Sequence, residues 1–196
     1  RKLLSGDAET EQHFSIHNDG SIHVNNRFKA LKGNYELLLR VGTDLEINKN
    51  LSQIEWYGRG PWESYWDRRT SSFVGLYKQN IDQQYFPYAR PQESGNKSDV
   101  RWMSLTNTKG KGLKIAFADT LLNVSALPYS LDDLDPEQDK KQYHSGELVK
   151  RNEIYLHIDL QQTGLQGIDS WGAKPLKKYR IPFADHHYSY WIQPLR

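Results

Sequence analysis

Apolar and polar residues alternate with a period of two along most of this chain. Phe14 and Ile16 alternate with polar neighbours, Asp19-Gly20 follows, and Ile22 and Val24 then resume the alternation. Asp-Gly between two alternating runs predicts a tight hairpin, because glycine accepts the positive φ that such a turn requires. The chain therefore opens with a predicted pair of antiparallel strands.

Further alternating runs predict strands along the rest of the chain. Their apolar positions are Tyr35, Leu37, Leu39 and Val41; Ile54 and Trp56; Leu113, Ile115 and Phe117; Leu122 and Val124; and Tyr188, Tyr190 and Ile192. The most regular run covers residues 154–161, where Ile154, Leu156, Ile158 and Leu160 interleave with Tyr155, His157, Asp159 and Gln161. It predicts a strand that is buried on its apolar face only.

Helical signals are few. Ser130 can cap a short helix that starts at Leu131, and Pro136 after Asp135 can begin a second turn. Turn residues separate the short strands elsewhere, which is typical of an antiparallel β-sandwich. The sequence predicts an all-β fold in a single domain, residues 1–196.

Charge and composition exclude several classes of protein. The chain has 26 basic and 24 acidic residues among 196, and this near balance argues against a nucleic-acid partner. No apolar run approaches the roughly 18 residues that predict a membrane span. The absence of cysteine excludes disulfides and thiolate metal ligands. The first residues lack the pattern of a signal peptide, and we expect them to lie inside a larger protein.

Two segments rich in aromatic, proline and charged residues interrupt the strand pattern, at residues 58–69 and 85–96. They contain Glu63, Asp67 and Glu93, and glycoside hydrolysis generally needs two such carboxyl groups. Arginines are close in sequence, and an arginine partner favours the ionised carboxylate, which makes a poor general acid. We therefore interpret these groups as ion pairs that hold long loops on a sheet. The arginines are Arg59, Arg68, Arg69, Arg90 and Arg101.

Histidines give only weak metal signals. His13 and His17 have the spacing of a helical metal pair but lie in a strand pattern, and His186-His187 lacks further ligands. We predict neither a metal site nor a phosphate loop in this chain.

Trp171 is the most informative single residue, because it lies in the loop-like segment GIDSWG, residues 167–172. A loop tryptophan often plugs one end of a sandwich core. Its neighbours Asp169 and Ser170 are too polar to build an apolar pocket, which favours an exposed indole that stacks on a sugar ring. We expect a modest, orienting contribution from the apolar area that such stacking buries.

Three motifs in order resemble the last domain of bacterial β-galactosidases of glycoside hydrolase family 2, the β-galactosidase small-chain domain. They are WYGRGPWESYWDR at residues 56–68, YARPQESGN at residues 88–96, and GIDSWG preceded by Ile158-Asp159. The resemblance runs from about His13 to the C-terminus. It implies an antiparallel β-supersandwich that is similar to galactose mutarotases and that lacks its first strands here, and an exposed sheet edge would favour self-association into a homo-oligomer.

The resemblance also implies how function is divided. The two catalytic glutamates of the family belong to a separate TIM-barrel domain, so no residue of this chain is expected to be catalytic. Trp171, with Asp169 and Ser170, matches the segment that meets a β-galactoside such as lactose. Mg and Na, which full-length members often use, bind in other domains. The remaining candidates are expected to lock loops or form the rim of the site: Arg59, Glu63, Asp67, Arg68, Arg90, Glu93, Asn96 and Arg101.

Two other functions remain open at this stage. The density of Trp and Tyr in loops is compatible with a stand-alone carbohydrate-binding module. By analogy of fold, the chain could be an aldose 1-epimerase, with Glu93 and either His144 or His186 as acid and base.

Overall fold

A computed structural model describes residues 1–135, 144–165, 169 and 172–196. Its regular structure is dominated by twelve β-strands, with one short α-helix, α1, at Leu131–Leu134. The strands are β1 Lys2–Leu3, β2 Ala8–Ile16, β3 Ile22–Ala30, β4 Arg40–Asn48, β5 Gln53–Gly60, β6 Phe73–Asn80, β7 Lys97–Val100, β8 Trp102–Thr106, β9 Gly112–Phe117, β10 Leu122–Leu127, β11 Glu153–Gln162 and β12 His186–Leu195. Short 3₁₀ helices lie at Leu4–Gly6, Ile81–Gln83, Ser145–Glu147 and Lys177–Tyr179.

The strands form two antiparallel sheets. The larger has eight strands in the order β1-β2-β3-β12-β9-β8-β5-β6, and the smaller has four in the order β4-β11-β10-β7. Buried side chains of both sheets, such as Trp56, Ile115 and Leu156, belong to one hydrophobic core. The predicted all-β, antiparallel sandwich is confirmed. The division into a single domain stays a prediction.

The first hairpin forms as its sequence predicts. β2 and β3 pair from Ala8↔Ala30 to Ile16↔Ile22, and Gly20 in the turn between them has φ of 85°. Ser130 caps α1 as predicted, since its hydroxyl accepts a hydrogen bond from the Asp133 N–H at 3.1 Å. Pro136 lies outside the described residues.

Two strand predictions need correction. The strand expected over residues 35–41 begins only at Arg40, because Leu38 forms an isolated bridge to Ile181 while Leu39 is exposed. β11 was expected to bury one face, yet its polar residues His157 and Asp159 are only 8% and 1% exposed. The small sheet is therefore covered on both faces at this strand, and these ionisable groups are held in the interior.

No helix in the described part of the chain is long and apolar enough to cross a lipid bilayer.

Candidate functional site

The two irregular loops of the sequence meet beside the small sheet. We call residues 61–72, between β5 and β6, the first loop, and residues 84–96, before β7, the second loop. Backbone bonds join them directly, since the Ser64 N–H donates to the Asn96 carbonyl at 2.8 Å. The Asn96 side chain is buried and returns a bond to the Ser64 carbonyl at 2.7 Å. Asn96 therefore holds the two loops together.

Glu63 forms a second link between the loops. Its Oε1 accepts a hydrogen bond from Arg68 Nη2 at 2.6 Å and another from the Tyr88 hydroxyl. Its Oε2 accepts the Gly95 backbone N–H at 2.9 Å. These three donors come from both loops, so Glu63 holds the loops together.

Glu93 lies on the other side of a buried tyrosine. The Tyr65 hydroxyl is 3.5 Å from Glu63 Oε2 and 3.5 Å from Glu93 Oε1, and the Tyr65 side chain is only 1% exposed. Burial is the largest influence on the Tyr65 pKa and raises it well above its usual value. The space between the two carboxyl groups is therefore filled by protein, where a glycosidase would hold the scissile bond of its substrate.

Arg40 at the start of β4 connects Glu93 to the interior. Its Nη2 donates to Glu93 Oε2 at 2.9 Å, and its Nε lies 3.2 Å from Asp159 Oδ2. Burial raises the pKa of Asp159 to about 7, although Arg40 opposes the shift. Burial also raises the Glu93 pKa, again against Arg40. One arginine thus faces two buried carboxyl groups, and their protonation is set mainly by desolvation.

His157 is the third buried ionisable group of this region. It pairs with Asp44 across β4 and β11, and burial lowers its pKa to about 4. The Arg40 charge lowers the pKa further, whereas Asp44 raises it. The imidazole is therefore neutral at physiological pH.

Three of the predicted arginines surround Asp99, which has an unusual positive φ of 53°. Arg59 Nε and Arg69 Nη1 donate to its two carboxylate oxygens at 2.5 and 2.8 Å. Arg101 Nη1 donates to its carbonyl oxygen at 2.5 Å. Three cations therefore hold the left-handed backbone at Asp99, and this conformation is one that non-glycine residues rarely adopt.

Asp67 and Asp169 lie near the segment that follows β11. A β-carbon built on Gly164 would lie 2.7 Å from Asp67 Oδ2, so Asp67 packs closely against this glycine. Asp169 Oδ1 accepts a weak bond from the Ala173 N–H at 3.3 Å. Ser170 and Trp171 lie outside the described residues, and their sugar contacts stay a prediction.

A cleft of about 940 Å³ opens where these elements converge. Its lining includes Arg68, Tyr88, Arg90 and Glu93 of the two loops, and Gln162 and Leu165 at and just after the end of β11. We call this the β11 cleft. Its lining mixes cationic, acidic, amide and apolar groups, a composition suited to a polar ligand with apolar faces. Of the predicted rim residues, Arg68, Arg90 and Glu93 line it, and Asn96 and Glu63 support the loops behind it.

Sequence reasoning missed three buried charged residues. They are Arg40, Lys97 and Asp159, and each is more than fifty residues from the next in sequence. Strand pairing brings them into the interior of the same sheet. Burial lowers the pKa of Lys97 to about 8, and its Nζ donates to the Gly95 carbonyl at 3.0 Å. One sequence feature could have predicted a buried charge, namely a charged residue such as Asp159 within a regularly alternating strand.

Histidines have ordinary partners here. His144 Nδ1 lies 3.1 Å from the Ala89 carbonyl, His186 Nε2 is 3.0 Å from the Pro182 carbonyl, and His187 Nε2 is 2.9 Å from Asn25 Oδ1. In the part of the chain that is described, no group of three or more His, Asp or Glu residues could hold a metal ion.

Comparison with known proteins identifies the family of this fold and loop arrangement. A family model described as β-galactosidase small chain matches residues 2–192. The chain belongs to the β-galactosidase small-chain family. The resemblance drawn from the three sequence motifs is thereby confirmed.

Curated relatives agree with this assignment. A β-galactosidase of Priestia megaterium is 33% identical over 184 residues, which is 93% of this chain and 17% of the relative. A β-galactosidase of Lactobacillus delbrueckii subsp. bulgaricus is 39% identical over 138 residues, 70% of this chain and 13% of the relative. A β-galactosidase of Vibrio cholerae is 30% identical over 181 residues, 92% of this chain and 16% of the relative. The chain thus spans less than a fifth of the length of each.

Proposed function

We propose that this chain is the small-chain domain of a retaining β-galactosidase that hydrolyses terminal β-D-galactosides such as lactose. In this proposal the chain supports a separate catalytic TIM barrel and presents Trp171 to the sugar. The observation that carries the proposal is the family match over residues 2–192, which includes the whole GIDSWG segment. The chain itself holds no cofactor or metal in this proposal.

The β11 cleft supports the location of the site. Leu165, at its edge, is the last described residue before GIDSWG, and Arg68 and Arg90 line the same cleft. Arginine and tyrosine side chains can donate hydrogen bonds to sugar hydroxyls, and an indole can cover the apolar face of a pyranose. A sugar held mainly by the barrel would contact the residues of the β11 cleft through the edge of the sugar that the barrel leaves exposed.

The carboxyl groups of the loops support a division of labour between two domains. Glu63 is bound by Arg68, Glu93 is bound by Arg40, and Tyr65 fills the space between them. These contacts hold both carboxyl groups within the loop structure, and in this proposal the barrel supplies the catalytic acid and the nucleophile. An epimerase role for Glu93 with His144 or His186 receives no support, because those histidines contact carbonyl oxygens of Ala89 and Pro182.

The test is hydrolysis of a chromogenic β-galactoside. The 196-residue chain alone should release no product, and addition of the catalytic barrel as a second polypeptide should restore hydrolysis. A Trp62→Ala chain, altered at an exposed tryptophan of the first loop, should restore activity as well as the native chain does. Product release by the chain alone would overturn the proposed division, and so would a barrel whose activity is unaffected by the chain.

A further inference from the structure

A second cleft lies beside the hairpin that joins β2 and β3. It is on the face of the large sheet that points away from the hydrophobic core. It has a volume of about 550 Å³ and is lined by His17, Asn18, Asp19, Ser21, Trp191 and Gln193. We call it the hairpin cleft. Among the described residues it shares no lining side chain with the β11 cleft. Nothing in the proposed function requires it.

Trp191 forms the wall of the hairpin cleft because of its place in β12. Its neighbours Tyr190 and Ile192 belong to the core side of the strand, so the alternation of side chains turns Trp191 outward. Its ring stacks on His23 with centroids 4.6 Å apart and an interplanar angle of 27°. His17 packs against the same indole at 5.1 Å. Two imidazoles therefore fix the orientation of a partly exposed indole.

The polar groups around Trp191 are also held in place. Asp19 Oδ1 accepts hydrogen bonds from the Ser21 N–H at 2.9 Å and the Ser21 hydroxyl at 2.7 Å. These bonds lower the Asp19 pKa, so the carboxylate is ionised at neutral pH and its second oxygen can accept further bonds. Arg196 donates to the Asp19 carbonyl at 3.2 Å and secures the turn. The amides of Asn18 and Gln193 supply both donors and acceptors.

This combination suits one class of ligand. The partly exposed Trp191 indole favours an apolar ring surface, and the Asp19 carboxylate and the Asn18 and Gln193 amides beside it favour hydroxyl groups. A pyranose carries both features, with axial C–H bonds on its faces and hydroxyls at its edge. An apolar peptide would leave the second oxygen of the Asp19 carboxylate without a donor, which is costly in a buried contact.

A second aromatic ring extends the surface across the sheet. Trp191 pairs with Ala116, and Ala116 pairs with Trp102, so the two tryptophans are two strands apart on the same face. Strands lie about 4.8 Å apart, which places the two backbone positions about 10 Å from each other. Alanine leaves space between the rings, and Lys114 Nζ lies 4.6 Å from the centre of the Trp102 ring. The surface can therefore contact more than one sugar of an oligosaccharide.

We propose that Trp191, with Asp19 and Gln193, forms a carbohydrate-binding site for a pyranose of a neutral oligosaccharide. The site is distinct from the β11 cleft and does not depend on Trp171. It attaches the domain to a saccharide and takes no part in hydrolysis.

The test is titration of the ¹⁵N-labelled chain with lactose and with cellotetraose, followed by the six indole N–H signals in NMR spectra. The Trp191 signal, assigned from its absence in the Trp191→Ala variant, should shift and saturate at millimolar sugar. Sorbitol has the hydroxyls of a sugar without its ring faces, and it should cause no shift. Equal shifts with sorbitol, or no shift with either sugar, would overturn the proposal.

Sugar affinities of variants distinguish the hairpin cleft from other tryptophan-containing surfaces of the chain. Gln193→Ala removes one edge amide and should weaken binding by about tenfold, equivalent to about 1.4 kcal/mol. Trp62→Ala should leave the affinity reported by the Trp191 signal unchanged. If Trp191→Ala fails to fold, as judged by circular dichroism, the signal can be assigned by triple-resonance spectra and Gln193→Ala decides the question. An affinity in Gln193→Ala equal to that of the native chain, or a loss of affinity in Trp62→Ala, would contradict the assignment.

Discussion

Gly42 and Asp159 face each other across β4 and β11 at a distance that admits no side chain at position 42. A β-carbon built on Gly42 would lie 1.8 Å from Asp159 Oδ1 and 2.9 Å from the Asp159 Cα. Asp159 is in turn 3.2 Å from Arg40, which binds Glu93 of the second loop. The absence of one side chain therefore makes space for the buried charges that connect the small sheet to the β11 cleft.

Gly42→Ala should destabilise the domain. The added methyl group must displace the Asp159 carboxyl or separate the two strands, and overpacking of this kind costs about 1–3 kcal/mol in the free energy of unfolding. Urea denaturation measures the loss. Gly146→Ala is the matched control, because no atom lies within 4 Å of a β-carbon built there. Equal midpoints for the two variants would contradict the tight packing at Gly42.

Buried Asp159 should make stability fall as pH rises from about 4 to about 7. The folded-state pKa of Asp159 is raised to about 7 from a reference value of 3.8, so in this range the native state keeps a proton that the unfolded state has lost. The effect reaches about 1.4 kcal/mol per pH unit at most. Asp159→Asn should abolish this contribution, which is checked by urea denaturation at pH 4.5, 5.5 and 6.5. A variant curve parallel to the native one would show that Asp159 does not titrate in this way.

His157 should act in the opposite direction. Its folded-state pKa is lowered to about 4 from 6.5, so the unfolded state binds a proton that the native state excludes, and stability falls as pH decreases from about 6.5 to 4. In the native protein, the pH dependence of stability due to His157 therefore opposes the pH dependence due to Asp159. His157→Gln should therefore reveal the Asp159 slope, with stability decreasing toward neutral pH, while Asp159→Asn should reveal the reverse. Slopes of the same sign in the two variants would refute this balance.

Removing Arg68 from its ion pair with Glu63 should lower the free energy of unfolding more than removing Glu63. Glu63 is 10% exposed and Arg68 is 43% exposed. Arg68→Gln leaves a buried carboxylate short of a donor and should cost about 1–3 kcal/mol of unfolding free energy. Glu63→Gln leaves an arginine that water can solvate, and the new amide oxygen can still accept the Gly95 N–H, so the loss should stay below about 1 kcal/mol.

Lys150→Gln is the control for this comparison, since its pair with Asp82 is more than half exposed at both ends and should contribute little. A larger loss from Glu63→Gln than from Arg68→Gln would mean that desolvation of the carboxylate is not the dominant effect.

Trp171→Ala in the assembled enzyme should raise the Michaelis constant for β-galactosides and lower kcat to a smaller extent. A single stacking contact contributes about as much to the bound substrate as to the transition state, and such uniform binding appears mainly in KM. Steady-state kinetics with lactose and an aryl galactoside measure both constants. Trp62→Ala provides the matched exposed tryptophan. Unchanged KM for both substrates would remove Trp171 from the sugar site.

Local alternation and turn chemistry predicted much of the fold. Asp19-Gly20 marked the first hairpin because a tight turn needs positive φ, and Ser130 marked the start of α1 because its hydroxyl caps the helix. The strand predicted over residues 35–41 was wrong for most of its length. Alternation indicates that a segment can form a strand, but it does not show whether a neighbouring strand is available to pair with it. Before β4 begins, Leu38 forms an isolated bridge to Ile181 and the Leu39 carbonyl accepts the Thr163 N–H, and these contacts do not extend into a strand.

The candidate site was less predictable than the fold. Glu63 pairs with Arg68, which is five residues away and therefore visible beside it in the sequence. For Glu93 the nearby Arg90 was a poor guide, since its partner Arg40 lies on a strand fifty-three residues earlier. An ion pair between distant segments depends on how two sheets and a loop pack, and one sequence carries no record of that packing.

The sequence by itself determined the all-β class, the hairpin at Asp19-Gly20 and the three motifs that mark the β-galactosidase small-chain family. These properties depend on side-chain period, turn geometry and residue identity, which are local. Only the tertiary structure decided that Arg40 joins Asp159 to Glu93, and that Trp191 lies beside Asp19 and stacks on His23. Both arrangements arise from strand register, since moving a strand by one residue would exchange its buried and exposed faces.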